Sequence, residues 1–592
     1  MSKGLVDLCI ESATKNSSTI DKWRRQRRTL ERMPPHLAQA LLRRLLDRRL
    51  VSPSLLEVFQ YCIEEIDLKG ETPVDAEWMA YLGAFRYLRM LNVADCRGIN
   101  SSALWAITGM NSLKELDLSR CVKFTDTGVA HLLSISNLEK LHLSETGLTA
   151  NGVAHLSLLK KLSVLDLGGL PVTDMALRSL QVLTKLEYLD LWGSKVTDEG
   201  VTVLKLFPKL SYLNLAWTSV TKLPNLPSLT CLNMSKCTIH SIFKGESDIK
   251  TLKLEKLLVP GATFSKIHDA FSFIELTGLR FLDMSNSSVD DFWFLSKLEA
   301  LVHLDLSFSK IGDDSLKLIA RVGGNVKVLN LSNTRVSSAG IGTIVGNVPN
   351  IEILLLSHTD INDLALPYIG LMPSLRAVDF SNTKIKGLTD FAQHESDQVP
   401  SLTALQNLRH LERLNLEETQ LKDEALWPLS SLHGLHTLSL KSNFLTDISL
   451  ATLSSLSGLK FLALRGAVLT NSGLDSFNTP PLLEILDLRD CWLLTEQAIS
   501  MFCQNHPKIE VRHEQAKNYF NDHSSAIRGN VKNSHRKSKR TKMPLVRSRL
   551  QKEGFVDERL KYSRQELLEL QFSPLSRVTL HNHNVLPKML TE

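Results

Sequence analysis

Leucine recurs through most of this chain in a pattern that combines two periods. The phrase Leu-x-x-Leu-x-Leu-x-x-(Cys/Thr/Ser/Asn) begins, for example, at Leu113 and at Leu186. Its Leu-x-Leu part has the two-residue period of a strand, so both leucines face a core and the residues beside them face the opposite side. An apolar i, i+3, i+4 pattern then predicts a helix, as in Val129, Leu132 and Leu133.

The strand and helix patterns repeat as a unit. Roughly seventeen such segments lie between Leu88 and Leu483, and their starts are 24 or 25 residues apart up to Leu210. Pairs such as Thr173-Asp174 stand where the helices begin and resemble N-caps. This period is that of leucine-rich repeats. We therefore predict an α/β fold, a leucine-rich-repeat solenoid with a parallel sheet on the concave side and helices on the convex side.

The same pattern divides the chain into three parts. Residues 1–60 are predicted to be a helical cap on the open end of the solenoid. Residues 61–512 form the repeats, and the spacing lengthens at expected insertions near 255–275 and 385–405. Residues 513–592 are polar, basic and poor in aromatic residues, which predicts a mostly disordered tail.

Charge and composition exclude several classes of function for this chain. The formal net charge is +6, and basic residues crowd both ends of the 592-residue chain. Asp7 and Glu11 interrupt the first apolar stretch, and no run of 18 apolar residues follows, so neither a secretory signal nor a membrane contact is expected. We expect a cytoplasmic protein, and the basic run 535–542 leaves a nuclear location open. Catalytic and metal-binding motifs were not found, so no enzyme activity, cofactor or metal is predicted.

Four of the eight cysteines stand at the last position of the repeated phrase and are expected to be structural. A second column, on the concave side, is acidic or amide in character. It is either a solvated face or a groove that attracts a basic partner. The column consists of Asp117, His142, Asp166, Asp190, Asn214, Asn233, Asp283, Asp305, Asn330, Asp379, Asn415 and Asp487.

Aromatic residues cluster on adjacent repeats near one end of this column. They are Tyr188, Trp192, Tyr212 and Trp217. Exposed aromatic side chains are common anchors of protein interfaces. We therefore predict that these four residues form a protein-docking patch on the concave face.

The amino-terminal segment allows a second interpretation besides the cap. Leu5, Cys9 and Ala13 have the spacing of the elongin-binding helix, and residues 33–37 resemble the adjoining cullin-contact box. This resembles substrate receptors of cullin–elongin ubiquitin ligases, some of which carry leucine-rich repeats. The resemblance implies a ligase receptor, although apolar residues at i, i+4 and i+8 are also ordinary helix design.

The tail contains the most informative short motif, at residues 561–571. Tyr562, Leu567 and Leu568 fit the phrase Tyr-x-x-x-x-Leu-Φ, and Arg564 and Gln571 occupy two further favourable positions. The phrase is typical of partners of the cap-binding translation initiation factor 4E, which dock a helix into a groove. The alternative is a short amphipathic helix that packs back on the repeats.

Together, the repeats and the tail motif resemble plant leucine-rich-repeat partners of initiation factor 4E. This resemblance implies a non-enzymatic adaptor that binds factor 4E and its isoform and promotes cap-dependent translation. It also implies that the repeats recruit other translation initiation factors. The basic tail could add a weak or indirect RNA contact. Inhibitors use the same motif, so repression stays open.

Overall fold

The computed structural model describes residues 5–14, 20, 33–243, 254–388 and 399–514. The chain divides into two units, residues 1–300 and 301–592. Each unit contains its own run of short parallel strands joined by helical turns.

The strands of the first unit pair in register, so that the central residues of neighbouring strands lie side by side. Leu116 pairs with Leu141, and Leu141 pairs with Leu165. All three leucines are fully buried, which is the core position that the Leu-x-Leu alternation predicts. A separate pair joins Thr238–Ile239 to Thr263–Phe264. The main strands are Glu65–Asp67, Met90–Asn92, Glu115–Asp117, Lys140–His142, Val164–Asp166, Tyr188–Asp190, Tyr212–Asn214, Cys231–Asn233, Lys256–Leu258 and Phe281–Asp283.

Short helices connect these strands. The α-helices are Leu5–Ala13, Pro35–Asp47, Pro53–Leu56, Ala76–Leu82, Val129–Leu133, Ala150–His155, Asp174–Ser179 and Ile267–Phe271. The 3-10 turns are Glu57–Phe59, Ser101–Ile107, Asp126–Gly128, Leu156–Leu158, Leu180–Val182, Gly200–Leu206, Leu276–Gly278 and Trp293–Lys297.

The second unit repeats the arrangement. Its strands are His303–Asp305, Val328–Asn330, Ile353–Leu355, Ala377–Asp379, Arg413–Glu417, Thr437–Lys441, Phe461–Arg465, Ile485–Asp487 and Glu510–Arg512. Its α-helices are Asp313–Val322, Ser338–Ile344, Leu366–Ile369, Asp447–Leu453, Asn471–Asp475 and Glu496–Asn505. Its 3-10 turns are Gly323–Asn325, Asp363–Ala365, Ser401–Asn407, Asp423–Ala425 and Trp427–Ser431. The fold is the leucine-rich-repeat solenoid that the sequence predicts.

The acidic and amide column closes the turn after most of the strands. The Oδ1 atom of Asp166 accepts the backbone N–H of Gly168 at 3.0 Å, and Asn330 does the same for Ser332 at 3.1 Å. Most side chains of the column are also buried, so the expectation of a solvated face is wrong for them, whereas the partner groove stays a prediction. The same bond, at 2.8 to 3.2 Å, is made by Asp67, Asn92, Asp117, Asp190, Asn214, Asn233, Asp283, Asp305, Asp379, Asn415 and Asp487.

The next residue of this turn has a left-handed backbone. Arg120 has φ 63° and Glu145 has φ 54°, a conformation that costs a non-glycine residue about 1–2 kcal/mol. In return, the N–H of Arg120 donates to the carbonyl of Ser144 at 2.7 Å, in the following repeat. The turn thus extends the hydrogen bonding between repeats beyond the three-residue strands.

The helix starts are joined from repeat to repeat. Asp174 accepts both the N–H and the hydroxyl of Thr197, at 2.8 and 2.7 Å. Asp198 does the same for Thr221, at 2.7 Å for both bonds. In the pair Thr197-Asp198, the threonine therefore bonds to the preceding repeat and the aspartate bonds to the following one. Of the predicted N-caps, Thr173 and Thr446 also cap their own helices.

The expected insertion near 255–275 is a regular repeat. Strand Lys256–Leu258 pairs with Cys231–Asn233 on one side and with Phe281–Asp283 on the other. The spacing only appears long when the phrase is started at Ile249 instead of Leu254. In the expected insertion near 385–405, residues 389–398 lie outside the described residues.

Cysteines of the repeated phrase occupy the position predicted for them. The thiol of Cys96 donates to the carbonyl of Leu68 at 3.2 Å, and Cys491 donates to Leu464 at 2.9 Å. Burial raises the pKa of each of these two thiols to about 12, so they stay protonated near neutral pH. Among the residues that the structure describes, none of the helices has both the length and the apolar character needed to span a bilayer.

We expect Asn214→Ala to destabilise the protein by about 1–3 kcal/mol, since it leaves the Ala216 N–H without its acceptor and removes a donor to Asp190. Chemical denaturation, with the midpoint and slope fitted together, measures this loss. Gln181→Ala, on an exposed turn, is the control and should change stability by less than ~0.5 kcal/mol. Equal midpoints for both variants would contradict the role given to the turn.

Candidate protein-interaction surface

Tyr188 and Tyr212 are the first residues of neighbouring strands and lie in register on the sheet face opposite the core leucines. Their rings stack with centroids 4.2 Å apart and planes 4° apart. Both side chains are fully buried. The prediction that these two tyrosines are exposed docking anchors is therefore wrong, because register places each ring against the other.

The hydroxyl groups of the two tyrosines differ in their hydrogen bonding. The Tyr188 hydroxyl donates to Asp190 at a long 3.5 Å, and the Asn214 side-chain amide donates to the same carboxylate at 2.9 Å. The Tyr212 hydroxyl has no hydrogen-bond partner among the described residues. Burial, followed by the nearby Tyr188, raises the pKa of Tyr212 well above 10. The pair is therefore a neutral aromatic stack beside a carboxylate.

The two tryptophans lie where the strands end. The Trp192 ring covers Gly168, where a Cβ would come within 2.3 Å of the indole Cδ1, so this position requires glycine. Trp192 is half-buried. Trp217 has φ 60° and its side chain is 45% exposed. Of the predicted patch, the tryptophans are thus the accessible part.

Two further residues, not predicted from the sequence, occupy the same first strand position as Tyr188 and Tyr212 on the neighbouring strands. Cys231 pairs with Tyr212 and Lys256 pairs with Cys231, and both side chains are buried. Burial lowers the pKa of Lys256 and raises that of Cys231 to about 12. If the repeat phrase is started at Leu254, the sequence alone places Lys256 at the same strand position as Tyr212.

The other predicted site residues are separate from this surface. Leu5, Cys9 and Ala13 lie on the helix Leu5–Ala13, where Cys9 is exposed and Ala13 is half-buried. Outside the described residues are Tyr562, Arg564, Leu567, Leu568 and Gln571, together with the basic run 535–542. In the described ranges, no cluster of histidine, cysteine and acidic side chains could hold a metal.

Comparison with known proteins agrees with the repeat geometry. The leucine-rich-repeat family model matches residues 109–133, 182–205 and 300–320. These matches lie within the repeats and agree with the leucine-rich-repeat fold. The chain is similar to a putative disease resistance protein of Arabidopsis thaliana, with 29% identity over 202 residues. The match covers 33% of this chain and 21% of that protein, so the chain spans about a fifth of the relative's length.

Solved structures with low sequence identity also match. An internalin of Listeria monocytogenes is 20% identical, with a TM-score of 0.35 over 66% of this chain and 88% of its own. The leucine-rich-repeat ectodomain of the Arabidopsis receptor kinase GASSHO1/SCHENGEN3, in complex with CASPARIAN STRIP INTEGRITY FACTOR 2, is 17% identical. It covers 74% of this chain and 60% of its own, with a TM-score of 0.43.

We expect Tyr212→Phe to leave stability unchanged or to raise it by up to ~1 kcal/mol, because it removes a buried hydroxyl and keeps the ring stack. Tyr188→Phe, the matched variant, loses a hydrogen bond to Asp190 and should be less stable than Tyr212→Phe. Urea denaturation of both variants compares them. If Tyr212→Phe were less stable than Tyr188→Phe, the Tyr212 hydroxyl would have an acceptor.

Proposed function

We propose that this chain is a non-enzymatic adaptor in which the repeats are a protein-binding scaffold and the tail binds translation initiation factor 4E. The observation that carries the proposal is the phrase formed by Tyr562, Leu567 and Leu568, with Arg564 and Gln571 at two further positions. The phrase lies beyond the last repeat strand, Glu510–Arg512. Binding through a motif outside the repeats would leave the solenoid folded.

The chemistry of the phrase suits a helix that binds in a groove. A tyrosine and two leucines can supply most of the binding energy of a short segment, because a few apolar anchors dominate such interfaces. In the family that the sequence resembles, the tyrosine packs on the convex back of factor 4E and the two apolar residues fill a shallow groove. Arg564 adds a positive charge two residues after Tyr562.

The repeats are the reason to propose an adaptor, and not only a ligand of factor 4E. Trp192 and Trp217 offer accessible aromatic surface at the strand ends, which suits contacts with further initiation factors. A competitor of translation needs only the tail motif, whereas a motif joined to a large scaffold can bring other factors to 4E. We therefore propose promotion of cap-dependent translation by a cytoplasmic protein. The basic run 535–542 would add weak RNA contact.

The test uses the full-length chain and a cap-analogue resin loaded with factor 4E or its isoform. Tyr562→Ala combined with Leu567→Ala should weaken capture about 100-fold or more, since two anchors of at least ~2 kcal/mol each are lost. Tyr519→Ala, a tail tyrosine without the leucine pair, is the control and should bind like the wild type. Undiminished capture of the double variant would exclude the proposed motif.

The amino-terminal helix supports a second candidate, a substrate receptor of a cullin–elongin ubiquitin ligase. On the helix Leu5–Ala13, Val6 is 51% exposed and Leu8 is 50% exposed, and Cys9 is exposed as well. Exposed apolar side chains on one short helix fit a docking role.

For this candidate, elongin C should co-purify with the full-length chain, and Leu5→Ser with Cys9→Ser should reduce its recovery at least ~10-fold through loss of apolar contacts. Met33→Ser, outside the helix, is the matched control for elongin C. Recovery that is absent with the wild type, or equal in all three proteins, would rule out the ligase function.

A further inference from the structure

We propose that the sheet face opposite the core in the second unit binds an extended acidic segment of a partner protein, with Arg413 holding a carboxylate of that segment. The residues concerned are the first residues of four successive strands, Arg413, Thr437, Phe461 and Ile485, which we call the first-position row. The proposal concerns a ligand of the repeats and does not depend on the binding of factor 4E.

The first-position row is accessible. Leu414 is buried in the core, and side chains alternate between the two faces of a strand. Arg413 and its neighbour in register, Thr437, therefore point to the opposite face. All four side chains of the row are half-buried, so each exposes part of its surface. This distinguishes them from Tyr188 and Tyr212, which occupy the same strand position in the first unit and are fully buried.

Arg413 has no ion pair and no side-chain hydrogen bond among the described residues. The register explains this. Arg376 and Glu412 precede the first positions of neighbouring strands, and the Arg376 Nε donates to Glu412 at 3.1 Å. Arg413 lies one position further along, between Ala377 and Thr437, neither of which carries a negative charge. Burial lowers the pKa of Arg413, so its charged form is held without a carboxylate to offset the loss of water.

The other half-buried arginines in the described part of the second unit are paired. Arg465 donates to Asp487 at 3.0 Å, and Arg512 donates to Glu510 at 2.8 Å. A carboxylate can accept two parallel hydrogen bonds from one guanidinium, which makes the pair strong and directional. A ligand carboxylate at Arg413 would gain these bonds outright, whereas at the other arginines it would first have to displace a carboxylate of the protein.

Asp379, on the neighbouring strand, does not neutralise Arg413. Its Oδ1 atom accepts the Ser381 N–H at 2.8 Å, and the Asn415 side chain also bonds to it. Burial raises the pKa of Asp379 in spite of these bonds. The carboxylate of Asp379 therefore belongs to its own turn, and the charge of Arg413 stays available to a ligand.

Paired charges elsewhere on this face favour a single carboxylate over a polyanion. Lys441 lies 2.7 Å from Glu418, and Arg489 lies 2.6 Å from Asp487. A polyanion such as RNA gains its affinity from several open cations at once. One carboxylate needs only one, and Arg413 provides it.

The rest of the row suits apolar side chains of the same segment. Neighbouring strands are about 4.8 Å apart, so Phe461 lies about 10 Å and Ile485 about 14 Å from Arg413 along the row. In an extended peptide that crosses the strands, the residues two and four places after the acidic one project to the same side, at about 7 and 13 Å. The first would meet Thr437 and Phe461, and the second Ile485. The expected partner pattern is therefore acidic-x-apolar-x-apolar.

The experiment selects peptides from a displayed library of random short segments on the full-length chain. Enriched peptides should carry Asp or Glu two residues before an apolar residue. A synthetic peptide of the enriched sequence should bind Arg413→Gln at least ~10-fold more weakly than the wild type, since a charged hydrogen-bonded pair is lost. Arg413→Lys keeps the charge but not the planar fork and should lie between them. Arg409→Gln, at an exposed arginine before the same strand, is the control and should bind like the wild type.

Urea denaturation separates a loss of binding from a loss of structure. Arg413→Gln should unfold at the same urea concentration as Arg409→Gln or at a higher one, because it removes a half-buried charge without a partner. A lower midpoint would give the guanidinium a structural role and overturn the proposal. Enriched peptides without acidic residues, or equal binding by Arg413→Gln, would overturn it as well. Displacement of the peptide by a single-stranded RNA that itself requires Arg413 would overturn the assignment to a protein partner.

Discussion

The hydrogen bond that an Asp or Asn side chain accepts from the backbone N–H two residues later is the contact on which most repeats depend. Each main strand has only three to five residues, so the chain must turn immediately and must still satisfy the polar backbone groups in the interior. The side-chain oxygen satisfies one of these groups, as at Asp166. The left-handed residue that follows, such as Arg120, directs its own N–H to the next repeat. Local side-chain chemistry thus sets the geometry between repeats.

That constraint explains which features could be predicted from the sequence. The leucine period fixes strands, helices and core, because it reports burial directly. The role of the Asp and Asn column could not be inferred from type alone, since a carboxylate suits a turn, a solvated face or a binding groove equally well. Tyr188 and Tyr212 were assigned wrongly for a related reason. Aromatic residues one repeat apart stack in register, and stacking hides the rings that an interface would need.

The hydrogen bonds of the turns also limit which repeat positions can contact a partner. The third position of most strands faces away from the core and serves a turn, which makes it less open to recognition. The tail phrase headed by Tyr562 lies outside the repeats, and its proposed role rests on its resemblance to ligands of factor 4E.

The Thr-Asp pairs at the helix starts have a consequence for how such a chain can evolve. Thr173-Asp174 and Thr197-Asp198 are 24 residues apart, and Thr197-Asp198 contacts both neighbouring repeats, through Asp174 on one side and Thr221 on the other. A duplication or deletion of one whole period would rejoin a threonine to an aspartate at the new junction. The number of repeats can therefore change during evolution without leaving an unmatched joint, and solenoid length becomes a quantity that selection can adjust.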